Sequence, residues 1–178
     1  LMTFYPAPGI GGHCIAVDRL YLSCKVRLTG YEAQFIALAD QINRAMPEHV
    51  VALVGGALNE RGRALKGSSV LVLGVTYKPD VNDIRESPAL EILEMLERKG
   101  ASVSYADPFT PQLALGSAKL SAVDATAETI AAADCVVILT NHSSFDYEVI
   151  AERATLVVDT RNALKAHRRA GSSSIVTL

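Results

Sequence analysis

The chain has 178 residues, 49% of them hydrophobic, and a formal net charge of -2, which supplies apolar material for a core and leaves no electrostatic footprint for nucleic acid. Its longest apolar runs, residues 70–75 and 135–139, fall far short of the roughly 20 residues of a membrane-spanning helix, so neither nucleic acid nor membrane is expected as a partner. Three cysteines, Cys14, Cys24 and Cys135, odd in number and without C-x-x-C spacing, predict a reducing, cytoplasmic setting rather than a disulfide framework.

Residues 1–18 contain Pro6, Pro8, Gly9, Gly11 and Gly12, which disfavour a regular helix or central strand and predict a loop. Within it, "PGIGGHC" has the glycine density of a phosphate loop, but the dinucleotide fingerprint needs G-x-G-x-x-G between a strand and a helix. Cys14 stands where the third glycine should be, and no strand precedes it. His13, Cys14, Asp18 and Cys24 make a poor metal set, because adjacent His and Cys seldom face one ion, and no metal is expected. Cys14 is then either a nucleophile whose thiolate is favoured by nearby donors or a small apolar residue in a turn. Asp18 shares its face if the segment turns helical, or is an ordinary cap or surface carboxylate. The first residue is Leu1 rather than Met, so the chain is expected to be a piece of something longer.

From 31 to 63 the apolar residues Phe35, Leu38, Ala39 and Ile42, then Val50, Val51, Leu53, Val54 and Leu58, recur at helical spacing. Pro47 either kinks one long helix or begins a second. About 30 residues at ~1.5 Å each make an element about 45 Å long, of the kind that joins domains or subunits.

Beyond the turn at 66–69, short apolar runs alternate with amphipathic helices. Strands are predicted at "VLVLGV", "SVSYAD", "CVVILT" and "TLVVDT", and helices at "ALEILEMLERKG", "TAETIAAA" and "FDYEVIAER". Ser87 followed by Pro88 gives the first of these helices an N-cap and a proline at its first position. Such alternation predicts an α/β fold: a Rossmann-like parallel sheet with flanking helices over residues 67–178, preceded by a helical segment within 1–66. Ligands of open α/β sheets bind beyond the carboxyl ends of the strands, which directs attention to "TYKPDVNDIRESP", "TNHSSF" and "DTRNAL". Lys78 and Arg85 in the first loop suit phosphate ahead of a helix N-terminus or are solvated charges, and Arg161 has the same two readings. Thr140, Asn141 and His142 could contact a ligand or cap the next helix.

Taken together and in order, "PAPGIGGHCIAVD", "GVTYKPDVNDIRESP", "YADP", "LTNHSSFD" and "DTRNAL" resemble the UDP-glucose/GDP-mannose dehydrogenase family, with wording nearest the branch that acts on UDP-N-acetylhexosamines. The resemblance covers essentially the whole chain but only the later half of the family's pattern. It implies oxidation of the C6 alcohol of a nucleotide sugar to a carboxylate in two hydride transfers to NAD, through a cysteine thioester. By resemblance Cys14 is the nucleophile and Asp18 the aspartate that handles protons and water in hydrolysis. Gly11 and Gly12 would line the sugar site, Tyr77, Lys78 and Arg161 would contact the UDP-sugar, and Arg85 would reach the cofactor pyrophosphate. The long helix would form a homodimer. Ala7, Ala16 and Arg19 depart from the family pattern, which usually has a glycine and two prolines there. The family's G-x-G-x-x-G does not occur in these residues, so the chain alone is expected to lack dehydrogenase activity. The competing expectation is a non-catalytic nucleotide-sugar-binding and dimerisation module, with Cys14 structural; a glucose-specific member of the family is the other alternative.

Overall fold

The computed structural model describes residues 5–12, 14–116, 118–167 and 174–178. A single π-helical turn, Cys14–Asp18, leads into helix α1 (Arg19–Arg27), followed by α2 (Gln34–Asn59). Then come β1 (Ser69–Leu73), α3 (Pro88–Arg98), β2 (Ser102–Ala106), β3 (Gln112–Leu115), β4 (Ala118–Ser121), α4 (Ala127–Ala132), β5 (Cys135–Ile138), α5 (Tyr147–Arg153), β6 (Leu156–Asp159) and β7 (Ser174–Thr177).

Five strands form one parallel sheet in the order β2-β1-β5-β6-β7. Register runs from Leu73 opposite Ala106 and Ile138 to Val158 opposite Val137 and Val176. β1, β5 and β6 are buried over most or all of their length, which is why they read as continuous apolar runs rather than alternations. One core, built from Val70, Val72, Val137 and Val158, packs against α3 and the second half of α2; the other, built from Leu71, Leu73, Val136 and Ile138, packs against the α4 and α5 side. The helix starts follow the local sequence: Ser87 accepts the Ala89 amide with Pro88 behind it, Thr126 accepts Thr129 N–H, and Asp146 accepts Val149 N–H.

The expected α/β sheet with flanking helices and a long preceding helix is therefore present. Pro47 neither ends that helix nor starts another, since α2 runs through it as one element of 26 residues, about 39 Å. Its second half is anchored by Val50, Val51, Val54, Ala57 and Leu58 in the core, and this packing offsets the hydrogen bond that proline cannot make. Three features depart from the expectation. Residues 14–18 are helical rather than loop, α1 continues them, and a β3-β4 hairpin and the edge strand β7 extend the fold. α1 buries none of its residues, so it lacks the inward-facing periodicity that would have marked it.

Candidate functional site

In a sheet of this order the chain leaves β1 in both directions, and the crevice between the carboxyl ends of β1 and β5 is where a ligand is expected. The loop after β1, residues 74–87, and the loop after β5, residues 139–146, line it. The N-terminal segment lies across the first of these loops and is pinned there. Gly12 N–H donates to the Arg85 carbonyl at 3.0 Å, and Ile10 N–H donates to Asn43 Oδ1 on α2 at 2.7 Å.

The two glycines explain why this approach is close. A Cβ on Gly11 would stand 2.6 Å from the Glu86 carbonyl oxygen and 2.7 Å from Tyr77 Cβ. Gly12 has φ +80°, and a Cβ on it would come within 2.8 Å of the Tyr77 ring. Gly11 and Gly12 are thus required by a seam against Tyr77 and the residue 85–86 backbone. That finding adds a packing reason to the expected one, a sugar-lining surface.

Cys14 and Asp18 open and close the π-helical turn that follows this seam, about one turn apart and both exposed. Isolated π turns recur at functional sites. In the loop after β1, the pKa of Arg85 is raised by its hydrogen bond to Asp83 and by the Asp83 charge. Asp83 grips Arg85 through Nε at 3.0 Å and Nη2 at 2.6 Å, and that grip holds the Asp83 carboxyl down to about 2. Arg85 therefore spends its Nε and Nη2 edge on Asp83. Lys78 is exposed, with Nζ 5.4 Å above the centre of the Tyr77 ring. Cys135 is a different kind of thiol: wholly buried, with its pKa pushed up to about 12 by that burial, it is no nucleophile.

Arg19 stands where the family pattern usually has proline. Its Nη2 donates to Asp40 Oδ1 at 3.0 Å, while Asp40 Oδ2 takes Arg44 Nε at 2.7 Å. An ion-pair clasp to α2 thus holds the residue next to Asp18.

Arg161 lies apart from this group, beyond β6, on a cavity of about 590 Å³ that it lines with Tyr5, Asn141, Asn162 and Lys165. Its Nε donates to Asn141 Oδ1 at 3.2 Å, and burial lowers its pKa, although a guanidinium stays charged. Asp159 also lines the cavity and its charge partly offsets that burial at Arg161, while its oxygens accept the amides of Arg161, Ala163 and Leu164. Two cations, two carboxamides and an aromatic ring suit a nucleotide. The segment through Tyr5 and Gly12 runs from this cavity to the Tyr77 seam, so the two groups of expected residues are bridged by one stretch of chain. Sequence reasoning passed over Asn162 and Lys165, although "RNALK" carries both just beyond a strand end. Of the residues in "TNHSSF", Thr140 and His142 are buried, only Asn141 reaches the cavity, and the cap of α5 is Asp146.

These features define a doubly wound α/β unit whose first βα loop packs against a glycine-rich segment leading into a cysteine. Residues 71–166 match the model of the UDP-glucose/GDP-mannose dehydrogenase family, UDP binding domain, and residues 1–45 match that family's central domain. The chain belongs to the UDP-glucose/GDP-mannose dehydrogenase family. Among its relatives, the UDP-N-acetyl-D-mannosamine dehydrogenase of Methanococcus maripaludis strain C7 is 35% identical over 168 residues, 90% of this chain and 36% of the relative. The NDP-N-acetyl-D-galactosaminuronic acid dehydrogenase of Ralstonia nicotianae is 32% identical over 167 residues, 92% of this chain and 37% of the relative. The solved structure of the UDP-D-ManNAc dehydrogenase from Pyrococcus horikoshii superposes with a TM-score of 0.81 at 26% identity, over 99% of this chain and 40% of that one. The chain thus spans little more than a third of the length of the curated relatives it matches. Among the described residues no helix is long and apolar enough to cross a membrane.

Proposed function

We propose that this chain contributes the nucleophile, the UDP-sugar-binding surface and the dimer contact of a cytoplasmic nucleotide-sugar 6-dehydrogenase acting on a UDP-N-acetylhexosamine. The observation that supports this reading is the seam of Gly11 and Gly12 on Tyr77 and the residue 85–86 backbone, which joins the segment leading to Cys14 to the loop that carries Lys78 and Arg85. In this reading the Cys14 thiolate attacks the C6 aldehyde, forming a C–S bond and an oxyanion that is protonated to a thiohemiacetal. After the second oxidation the sugar is held as a thioester, which water opens to the carboxylate and the free thiol. Asp18, one turn away, takes the proton from that water. NAD, when bound, would supply the hydride acceptor for each oxidation, and Arg85 is the residue of this chain that would reach its pyrophosphate. Lys78 and Tyr77 meet the nucleotide at one end of the N-terminal segment, and Arg161 meets it at the other.

The division at residue 66, with 1–66 for catalysis and dimerisation and 67–178 for nucleotide binding, is proposed as one of function. It is not one of packing, since the second half of α2 shares the core of the sheet. The test is Cys14→Ser in the whole protein. NAD reduction with a UDP-N-acetylhexosamine is expected to fall by at least about 10³-fold with UDP binding retained, and the 178 residues alone are expected to reduce no NAD. Turnover within twofold of wild type would overturn the nucleophile assignment.

A further inference from the structure

Between the loops that follow β1 and β5 lies a buried residue, His142, that has no role in the chemistry proposed above. Its side chain is 0% exposed, as is that of Asp107. Both ring nitrogens are engaged. The Asp80 amide donates to Nδ1 at 3.0 Å, while Nε2 lies 3.0 Å from Asp107 Oδ2 and 3.2 Å from Thr76 Oγ1. A ring nitrogen that accepts carries no hydrogen, so this imidazole is the neutral Nε2–H tautomer donating to the Asp107 carboxylate. Asp107 is itself fixed by four amides from two loops: Val75 and Thr76 donate to Oδ2, and Phe109 and Thr110 donate to Oδ1.

The rings of Phe109 and Phe145 pack on the imidazole at centroid distances of 5.1 and 5.4 Å. Tyr147 Oη donates to the His142 carbonyl at 2.6 Å.

What His142 holds is the turn 78–80. Asp80 has φ 59°, a left-handed conformation that a non-glycine residue keeps when its surroundings enforce it. The surroundings are on the β5 side. His142 Nδ1 takes the Asp80 amide, and the Ser143 amide donates to Asp80 Oδ1 at 2.9 Å. Two residues earlier the Thr76 hydroxyl donates to the Lys78 carbonyl at 3.0 Å. Lys78 is exposed between these ties.

We infer that His142 is a positioning residue: its bare Nδ1, oriented by Asp107, locks the turn 78–80 so that Lys78 is presented to the nucleotide. The last clause rests on the proposed nucleotide reading; the lock itself does not.

The test uses the 178-residue chain. With ¹⁵N-histidine, the nitrogen chemical shifts of His142 should report a protonated Nε2 and a bare Nδ1. Two substitutions separate the two nitrogens, because an Asn carboxamide oxygen can stand at the Nδ1 position and a Gln amide group at the Nε2 position. His142→Asn should keep slow exchange of the Asp80 amide and bind UDP within about threefold of wild type. His142→Gln should lose that protection and bind UDP about tenfold more weakly, the effect of orphaning one hydrogen bond. A protonated Nδ1 in wild type, or protection of Asp80 unchanged in His142→Gln, overturns the inference. If both variants unfold, the wild-type nitrogen shifts decide it. Failure of wild type to bind UDP would overturn the nucleotide reading, while exchange of the Asp80 amide still decides the lock.

Discussion

Gly12 concentrates two demands at one residue, a left-handed backbone and an absent side chain. Its φ of +80° and the 2.8 Å that a Cβ would leave to the Tyr77 ring act together, so Gly12→Ala is expected to destabilise by about 1–3 kcal/mol, a fall in Tm of about 3–8 °C for a chain of this size. Truncating the ring should relieve the steric part and leave the backbone part. Tyr77→Ala placed on top of Gly12→Ala should therefore cost less than the two single changes summed, by about 1 kcal/mol. Additive losses in thermal unfolding would mean that the glycine and the ring do not touch. Gly11 is the harsher neighbour, because the atom nearest its missing Cβ is the Glu86 carbonyl oxygen at 2.6 Å, and backbone moves aside less readily than a ring.

Among the elements, the loops after β1, β2 and β5 behave as one unit, because Asp107 at the end of β2 takes amides from the β1 loop and the His142 ring from the β5 loop. Burial opposes the Asp107 charge, but the hydrogen bond from His142 and the Val75 and Phe109 amides outweigh it and hold the carboxyl below its ordinary value. A carboxyl depressed in the folded state contributes stability above its unfolded pKa of about 3.9, and that contribution is lost as pH falls through the folded value. Asp107→Asn should accordingly cost about 2–4 kcal/mol at pH 7, with the deficit narrowing below pH 4; urea midpoints at pH 7 and pH 3.5 measure it, and a deficit independent of pH would refute the ionised carboxylate. The strands that Asp107 joins were legible because burial on both faces makes them continuous apolar runs. Helix α3 was legible because Ser87 and Pro88 mark its start. α1 was not, since a helix that buries nothing has no inward stripe to read, and β7 was not, since its pattern is intermediate rather than buried. At the candidate site, "PGIGGHC" and "YKPD" stood out as segments, but the seam between them is a long-range contact that neither segment signals locally. Which charges share a pocket depends on the strand order, so the distance of Arg161 from Cys14 and the burial of His142 had no local signal.

For the molecule as a whole, α2 is two helices in character. From Pro47 onward it is part of the core, whereas its first half exposes Phe35, Leu38 and Ile42 and the connection from α1 exposes Leu28 and Tyr31, with Phe35 88% and Leu28 85% accessible. Water-exposed apolar side chains so closely grouped are uncommon on a monomer and mark a contact surface. Beside them, Leu22, Val26, Tyr31 and Phe35 line a mainly apolar hollow of about 260 Å³. A second copy related by two-fold symmetry would bring the same patch from its own α2, which satisfies the self-complementarity a dimer requires. The dimer proposed through this helix predicts that wild type sediments as a dimer in analytical ultracentrifugation. Phe35→Asp combined with Leu38→Asp places two charges on that face and should yield monomer at micromolar concentration. Because neither residue belongs to the sheet core, the circular dichroism spectrum should stay unchanged. A double variant that remains dimeric would move the interface elsewhere, and a wild type that is monomeric at all concentrations would leave this face to be covered by other parts of a longer chain.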